Sequence, residues 1–128
     1  MKSEGRSENA SPPRDICQRT FQFALDIVRL CQQLQQHQGV GRTLGRQLLR
    51  SGTSVGANVE EAQGGQSSAD FISKYAIARK EAREALYWLR LLRAAGCAEG
   101  EEPERLGDEA DQLVSILTAI IKKAERKA

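Results

Sequence analysis

The sequence predicts an all-α fold, an antiparallel up-down-up-down four-helix bundle. Four segments repeat apolar residues at alternating three- and four-residue steps, a spacing that places them on one side of a helix. We identify no convincing strand between them. Because the predicted connections are only about 5 to 8 residues long, neighbouring helices are expected to run in opposite directions.

The length of 128 residues corresponds to one domain. Apolar residues make up 40% and charged residues 28%, proportions that are typical of globular proteins. Residues 1–13 are small or charged and end in a proline pair, so we expect a disordered leader there and the bundle over 14–128. Neither a signal peptide nor a run of roughly 18 apolar residues is present, which predicts a cytoplasmic protein without membrane contact.

The first two helices are predicted over about 14–37 and 43–63. Their apolar stripes are Ile16, Thr20, Phe23, Ile27, Leu30 and Leu34, then Leu44, Leu48, Val55, Val59 and Ala62. Gly52 and Gly56 lie inside the second helix, where each glycine costs about 1 kcal/mol relative to alanine. We expect them to permit close approach of a neighbouring helix, and Gly64 with Gly65 to end the helix.

The last two helices are predicted over about 68–95 and 103–127. Ser68 is the predicted N-cap of the third helix, and Pro103 suits the first turn of the fourth. Their apolar stripes are Phe71, Tyr75, Ala78, Ala82, Ala85, Leu89 and Leu92, then Leu106, Ala110, Leu113, Leu117, Ile120 and Ala124. The alanines at the centre of the third stripe again indicate close helix packing.

Further apolar residues fall outside these stripes, where a four-helix bundle normally presents polar side chains. They are Phe21, Leu25, Val28, Ile72, Leu86, Leu91, Val114, Ile116 and Ile121. Scattered apolar residues are ordinary on a protein surface, whereas a contiguous group would mark a subunit interface. The pattern leaves both interpretations open.

No catalytic residue, metal site or cofactor is predicted. Cys17, Cys31 and Cys97 form no closely spaced pair, so we interpret them as reduced thiols used for packing. The single histidine, His37, cannot supply the two Glu-x-x-His motifs of a di-iron bundle, and we interpret it as a solvated residue at a helix end. The glycines within 39–45 lack the preceding strand and the Gly-Lys-Ser/Thr of a phosphate loop.

Ser54, Asn58 and Glu61 share one face of the second helix, beside its apolar stripe. No histidine or lysine lies among them to act as the base of a nucleophilic site. We interpret them as part of a hydrogen-bonded network between helices. Arg79 and Glu84 of the third helix are the predicted partners, because buried polar groups need partners and a buried carboxylate needs a cation.

Arginines recur on the second and third helices at helical spacing. The net charge of +2 is too small to indicate nucleic acid, and charged outer faces are ordinary in helical bundles. Repeated around an oligomer, however, such stripes would form a band able to contact phosphates. The residues predicted to make those contacts are Arg42, Arg46, Arg50, Arg79, Arg83 and Arg90.

The stretch Gln-Leu-Leu-Arg-Ser-Gly-Thr-Ser-Val-Gly-Ala-Asn-Val-Glu-Glu, residues 47–61, resembles the signature of a bacterial family. This is the four helix bundle protein family, also called the intervening-sequence proteins of large-subunit ribosomal RNA genes. Its signature runs Gln-Leu-x-Arg and then Ser-x-x-x-Asn-Ile/Val-x-Glu, followed by a helix with Ala-Arg and a later Glu, here residues 78–79 and Glu84. The resemblance covers about residues 14–127. Ala62 stands where the family has glycine and Glu81 where it often has serine, which affects the predicted network more than the fold.

The resemblance implies a homopentamer of four-helix bundles around a central opening. It also suggests kinship with the accessory variability proteins of diversity-generating retroelements, which pair with a reverse transcriptase and bind nucleic acid. Some family members are encoded inside ribosomal RNA genes, but this describes a genomic location rather than RNA binding. The biochemical role of the family is poorly defined.

Three functions remain open from the sequence. One is a non-enzymatic oligomer that binds RNA or DNA through its basic helix faces, with a protein partner as a further option. Another is a structural or protein-interaction scaffold without nucleic acid. The third, an enzyme, would require a concave pocket that contains titratable groups with perturbed pKa values.

Overall fold

The computed structural model describes residues 12–65 and 67–128, with side chains from residue 16 onward. Four helices occupy these ranges: α1 is Pro12–Gln35, α2 is Val40–Gln63, α3 is Ser68–Ala94 and α4 is Glu101–Lys127. The described ranges contain no strand, and the predicted all-α class is confirmed. Within the same ranges, no helix has an apolar stretch long enough to cross a bilayer.

Consecutive helices pack against one another, and α1 also contacts α4. Their contacts run in opposite sequence order: Arg50 of α2 pairs with Glu84 of α3, whereas Glu61 pairs with Lys74. The same reversal joins α1 to α2 through Leu34–Gly45 and Thr20–Gly56, and α3 to α4 through Arg93–Glu104 and Arg79–Thr118. Neighbouring helices are therefore antiparallel, which gives the up-down-up-down bundle.

The helix boundaries differ from the predicted ones for local reasons. α2 and α4 begin three and two residues earlier than expected, directly after Gly39 and Gly100, whose φ angles of 95° and 98° favour glycine. α1 begins at Pro12 rather than Arg14, because proline is tolerated in a first turn, where its missing N–H has no helical partner. Residues 1–11, most of the predicted leader, lie outside the described residues.

Ser67, rather than the predicted Ser68, is the N-cap of α3. Its side chain accepts a hydrogen bond from the Asp70 backbone N at 3.1 Å, so it satisfies one of the unpaired donors in the first turn. The end of α2 is as predicted, with Gly64 as the C-cap.

One core runs along the centre of the bundle, and the predicted apolar stripes supply most of it. The whole predicted stripe of α1 is buried, and those of α2 and α3 are buried apart from the half-buried Leu44 and Phe71. In α4, Ile121 is buried, whereas the predicted Ile120 is half-buried. At 3.6 residues per turn these two isoleucines lie at equal angles on either side of the stripe, so periodicity alone could not separate them.

Gly52 and Gly56 let α1 and α2 approach closely, as predicted. A Cβ atom at Gly52 would lie 2.9 Å from Ile27 Cγ2, and one at Gly56 would lie 3.2 Å from the backbone oxygen of Thr20. The Thr20 hydroxyl also lies in this contact and donates to the Ile16 carbonyl at 2.8 Å. A Cβ atom at either position would therefore require its neighbour on α1 to shift.

Cys31 is buried in the same interface, and its thiol donates a hydrogen bond to the Gly45 carbonyl at 3.3 Å. Burial raises the pKa of this thiol from its ordinary value of 9.0 to about 11, because the thiolate would lose its hydration. None of the three cysteines, all of which lie in the described ranges, forms a disulfide.

The tight contact at Gly52 predicts that Gly52→Ala destabilises the bundle. We expect the free energy of unfolding to fall by roughly 1 kcal/mol, because overpacking strain exceeds the gain in helix propensity. Gly107→Ala in α4 is the matched control, since its new Cβ would meet only Leu86 Cδ1 at 3.9 Å. Urea unfolding should show this control to be stabilised by roughly 0.5–1 kcal/mol. Equal stabilisation of both variants would contradict the close approach.

The raised pKa of Cys31 predicts a loss of stability in alkali. The folded state holds the thiol proton more tightly than the unfolded state, so this contribution is complete below pH 9 and disappears as the pH rises towards 11. We expect wild type to lose roughly 2–3 kcal/mol more than Cys31→Ala across that interval, as measured by urea unfolding at each pH. Parallel pH profiles for the two proteins would exclude a buried, protonated thiol.

Candidate nucleic-acid interface

Arg50 of α2 lies between two carboxylates of α3. Its Nη1 is 3.3 Å from Glu81 Oε1, and its Nη2 contacts Glu84 Oε2. The Glu81 side chain is only 10% exposed, and a carboxylate that is buried without a cation costs several kcal/mol. Arg50 is therefore committed to holding α2 against α3. Its predicted role as a phosphate contact stays a prediction, and this pairing makes Arg50 a weaker candidate than an unpaired arginine.

The predicted polar network does not form as one unit. Asn58 Nδ2 donates to the backbone oxygen of Ser54 at 2.9 Å, a bond within α2 itself. Glu61 is 66% exposed and pairs with Lys74 Nζ at 3.1 Å, across the solvent-facing margin of α2 and α3. The structure does not bring these side chains into one network, because Asn58 satisfies itself on its own helix and Glu61 is exposed and pairs at the surface.

Arg79 and Glu84 point to different neighbours. Arg79 Nη1 donates to Thr118 Oγ1 of α4 at 3.4 Å, so its side chain belongs to the contact of α3 with α4. Glu84 accepts from Arg50 and from Trp88 Nε1, the latter at 3.1 Å. Arg79 is half-buried, which makes it a poor candidate for the phosphate contact predicted from the sequence.

The other predicted arginines are differently placed. Arg42, Arg46, Arg83 and Arg90 are exposed, and none of them has an ion pair with another described residue. The Arg50–Glu84 contact and the antiparallel direction place residues 42–50 of α2 beside residues 84–92 of α3. With the exposed Lys80, one turn before Arg83, we group these exposed cations of α2 and α3 under the name basic face: Arg42, Arg46, Lys80, Arg83 and Arg90.

Tyr87 lies within the basic face and was missed by the sequence reasoning. Its side chain is 52% exposed, and it is four residues after Arg83 and three before Arg90. Its ring meets the ring of Trp88 edge-on, with centroids 5.1 Å apart and an interplanar angle of 72°. The sequence did contain an indication of this role. Helical spacing places one aromatic residue, Tyr87, among three cations on one face of α3, namely Lys80, Arg83 and Arg90.

A separate cleft of about 340 Å³ lies between the end of α1 and the connection from α3 to α4. His37, Cys97 and Glu99 are among its lining residues. Its carboxylates Asp26 and Glu102 both accept from Arg105 Nη2, at 2.9 and 2.6 Å. The described residues contain no group of three or more His, Cys, Asp or Glu that could hold a metal ion.

Comparison with known proteins identifies the family. The family model of the 23S rRNA-intervening sequence protein matches residues 14–119. The chain belongs to this family. A similar solved structure is a protein of unknown function from the S23 ribosomal protein family of Bacteroides thetaiotaomicron VPI-5482, with 38% identity and a TM-score of 0.80. The similarity covers 88% of this chain and 99% of that one, and no curated protein matches.

In this member of the 23S rRNA-intervening sequence protein family, the signature stretch 47–61 is mainly structural. Gly52 and Gly56 pack against α1, while Arg50 links α2 to α3. Tyr87 and the arginines of the basic face all lie outside this stretch. The signature therefore identifies the fold and does not locate a binding surface.

The position of Arg50 predicts a stability effect that a surface arginine would not have. Arg50→Gln leaves Glu81 without its cation, and we expect roughly 1–2 kcal/mol of destabilisation, less than for a fully buried pair because Arg50 is half-exposed. Arg46→Gln, the control one turn away, should change the free energy of unfolding by under about 0.5 kcal/mol.

A double-mutant cycle in urea assigns this loss to the buried carboxylate. In a Glu81→Gln background, Arg50→Gln should cost markedly less than in wild type. A cost that is the same in both backgrounds would show that Glu81 does not depend on Arg50.

Proposed function

We propose that this protein is a non-enzymatic homo-oligomer that binds nucleic acid through its basic face. The supporting observation is the division between arginines that hold helices together and arginines that do not. Arg50 and Arg105 are committed to carboxylates, whereas Arg83 and Arg90 are exposed and have no ion pair with any residue that the structure describes. Exposed guanidinium groups are well suited to phosphate oxygens.

Local charge, rather than net charge, supports this function. The whole chain has a net charge of +2, but residues 68–95 contain six basic and three acidic side chains. Two of those acidic side chains, Glu81 and Glu84, face Arg50. The remaining cations of α3 can therefore attract a polyanion, and the interaction should weaken as salt screens it.

Oligomerisation would repeat the basic face around an assembly. An apolar groove of about 250 Å³ between α1 and α2, with Phe21, Ala24 and Ala57 in its lining, offers a subunit contact. The Phe21 side chain is 65% exposed in the single chain, which is unusual for an aromatic residue without a partner. We infer a homopentamer, as the family resemblance implies.

The same groove favours a second candidate function. If a different protein occupied it, the chain would act as a protein-interaction scaffold without nucleic acid. We place either function in the cytoplasm, because Cys17, Cys31 and Cys97 are all free thiols, as expected in a reducing compartment.

A salt titration tests the proposed function. Fluorescence anisotropy with a labelled 20-nucleotide RNA or DNA should show binding at low ionic strength. The logarithm of the association constant should fall linearly with the logarithm of the salt concentration. Arg83→Gln and Arg90→Gln should each weaken binding and reduce the magnitude of that slope by about 1 for each phosphate that is no longer neutralised. Arg126→Gln is the matched control, because Arg126 is exposed on α4, outside the basic face, and like Arg83 has no ion pair with a described residue.

Two outcomes would decide against the proposal. The first is no salt-dependent binding at low ionic strength, which would favour the scaffold. The second is an equal effect of Arg126→Gln and Arg83→Gln, which would indicate nonspecific attraction to net charge. Light scattering on the same samples should give a mass five times the 14.1 kDa of one chain, and a monomeric mass would exclude the pentamer.

A further inference from the structure

We infer that the basic face binds single-stranded nucleic acid in preference to a duplex, with Tyr87 stacking on an unpaired base. This inference rests on the proposed function and adds the form of the ligand and the residue that selects it. Cations attract the backbone of any nucleic acid, but an exposed aromatic ring among them recognises a base whose face is open.

The exposure of Tyr87 is the first observation. The other tyrosine of the chain, Tyr75, is fully buried, stacks on Phe71 at 4.5 Å and accepts a hydrogen bond from Gln63 at 3.0 Å. Tyr87 instead leaves 52% of its surface to solvent, in the interior of a 27-residue helix. It contributes little to the core and is available to a ligand.

The position of Tyr87 is the second observation. Arg83 precedes it by four residues and Arg90 follows it by three, so all three share one side of α3. The two arginines are separated by about 10 Å along the helix axis. Phosphates on both sides of one stacked nucleotide can therefore each meet a guanidinium group. In a duplex the neighbouring base pairs cover the base faces, so stacking contributes nothing there.

The ring of Tyr87 is also held in place. Its neighbour Trp88 packs against it edge-on and donates Nε1–H to Glu84, which in turn contacts Arg50 of α2. The edge-on contact with Trp88 leaves the Tyr87 ring exposed. The contacts of Trp88 with Glu84, and of Glu84 with Arg50, hold the indole in place beside that ring. A stacking surface that is fixed before binding loses less side-chain entropy when the ligand arrives.

Phe21 provides a matched contrast on the same molecule. It is more exposed than Tyr87, at 65%, but it lines the apolar groove together with Glu60. A carboxylate beside the ring repels phosphate, so exposure of an aromatic ring alone does not make a nucleic-acid site. Only Tyr87 combines exposure with flanking arginines among the described aromatic residues.

Binding to single and double strands separates the inference from the proposed function. We would measure the affinity of wild type, Tyr87→Ala and Tyr87→Phe for oligo(dT) and oligo(rU) of 20 nucleotides and for a 20-base-pair duplex. Tyr87→Ala should weaken both single strands roughly tenfold and the duplex less than about twofold, because only stacking is removed. Tyr87→Phe should bind like wild type, because it keeps the stacking ring.

The single tryptophan supplies a second readout. A base that stacks on Tyr87 lies beside Trp88, so single strands should quench Trp88 fluorescence in wild type more than in Tyr87→Ala at equal saturation. Urea unfolding of Tyr87→Ala checks that the variant is folded. If wild type binds and Tyr87→Ala weakens all ligands equally or none, the inference is overturned and the proposed function stands. If wild type binds neither single strands nor duplex, both are overturned.

Discussion

The close approach of α1 and α2 at Gly52 and Gly56 is the constraint on which the rest of the bundle depends. The two glycines fix the rotation of α2 about its own axis. If α2 turned another of its sides towards α1, a Cβ atom would enter the close contact. In this orientation of α2, Arg50 faces α3 and pairs with Glu81 and Glu84. The same packing that excludes side chains on one flank therefore determines which charges meet on the other.

The charges that remain outside such contacts determine the surface. Arg50 pairs with the two central carboxylates of α3, which therefore face α2 and not the outer side of the helix around Tyr87. Glu84 joins the two regions, because it accepts both from Arg50 and from the Trp88 that packs on Tyr87. A substitution of Arg50 should therefore alter the surroundings of the exposed Tyr87 ring, although Tyr87 lies outside the signature stretch.

The fold was predictable because helical periodicity averages over many residues. The stripe of α1 needed no correction, and the failure at Ile120 occurred where the sequence placed two isoleucines symmetrically about the stripe. The site was harder to predict because a helix position does not say whether a long side chain meets a partner. Arg46 and Arg50 lie one turn apart on α2, and the sequence alone does not show that only Arg50 meets Glu81 and Glu84. The partner of Glu61 could not be predicted either, because its position on α2 does not reveal the surface ion pair that it forms with Lys74.

The central claim is that partners in the fold decide which arginines are available to a polyanion. The most direct test is the NMR spectrum of arginine Nε–Hε groups during titration with oligo(dT). We expect the signals of Arg83 and Arg90 to shift with saturation, while those of Arg50 and Arg105 stay in place because carboxylates already hold them. Shifts of Arg50 and Arg105, with Arg83 and Arg90 unchanged while binding is observed, would contradict the account.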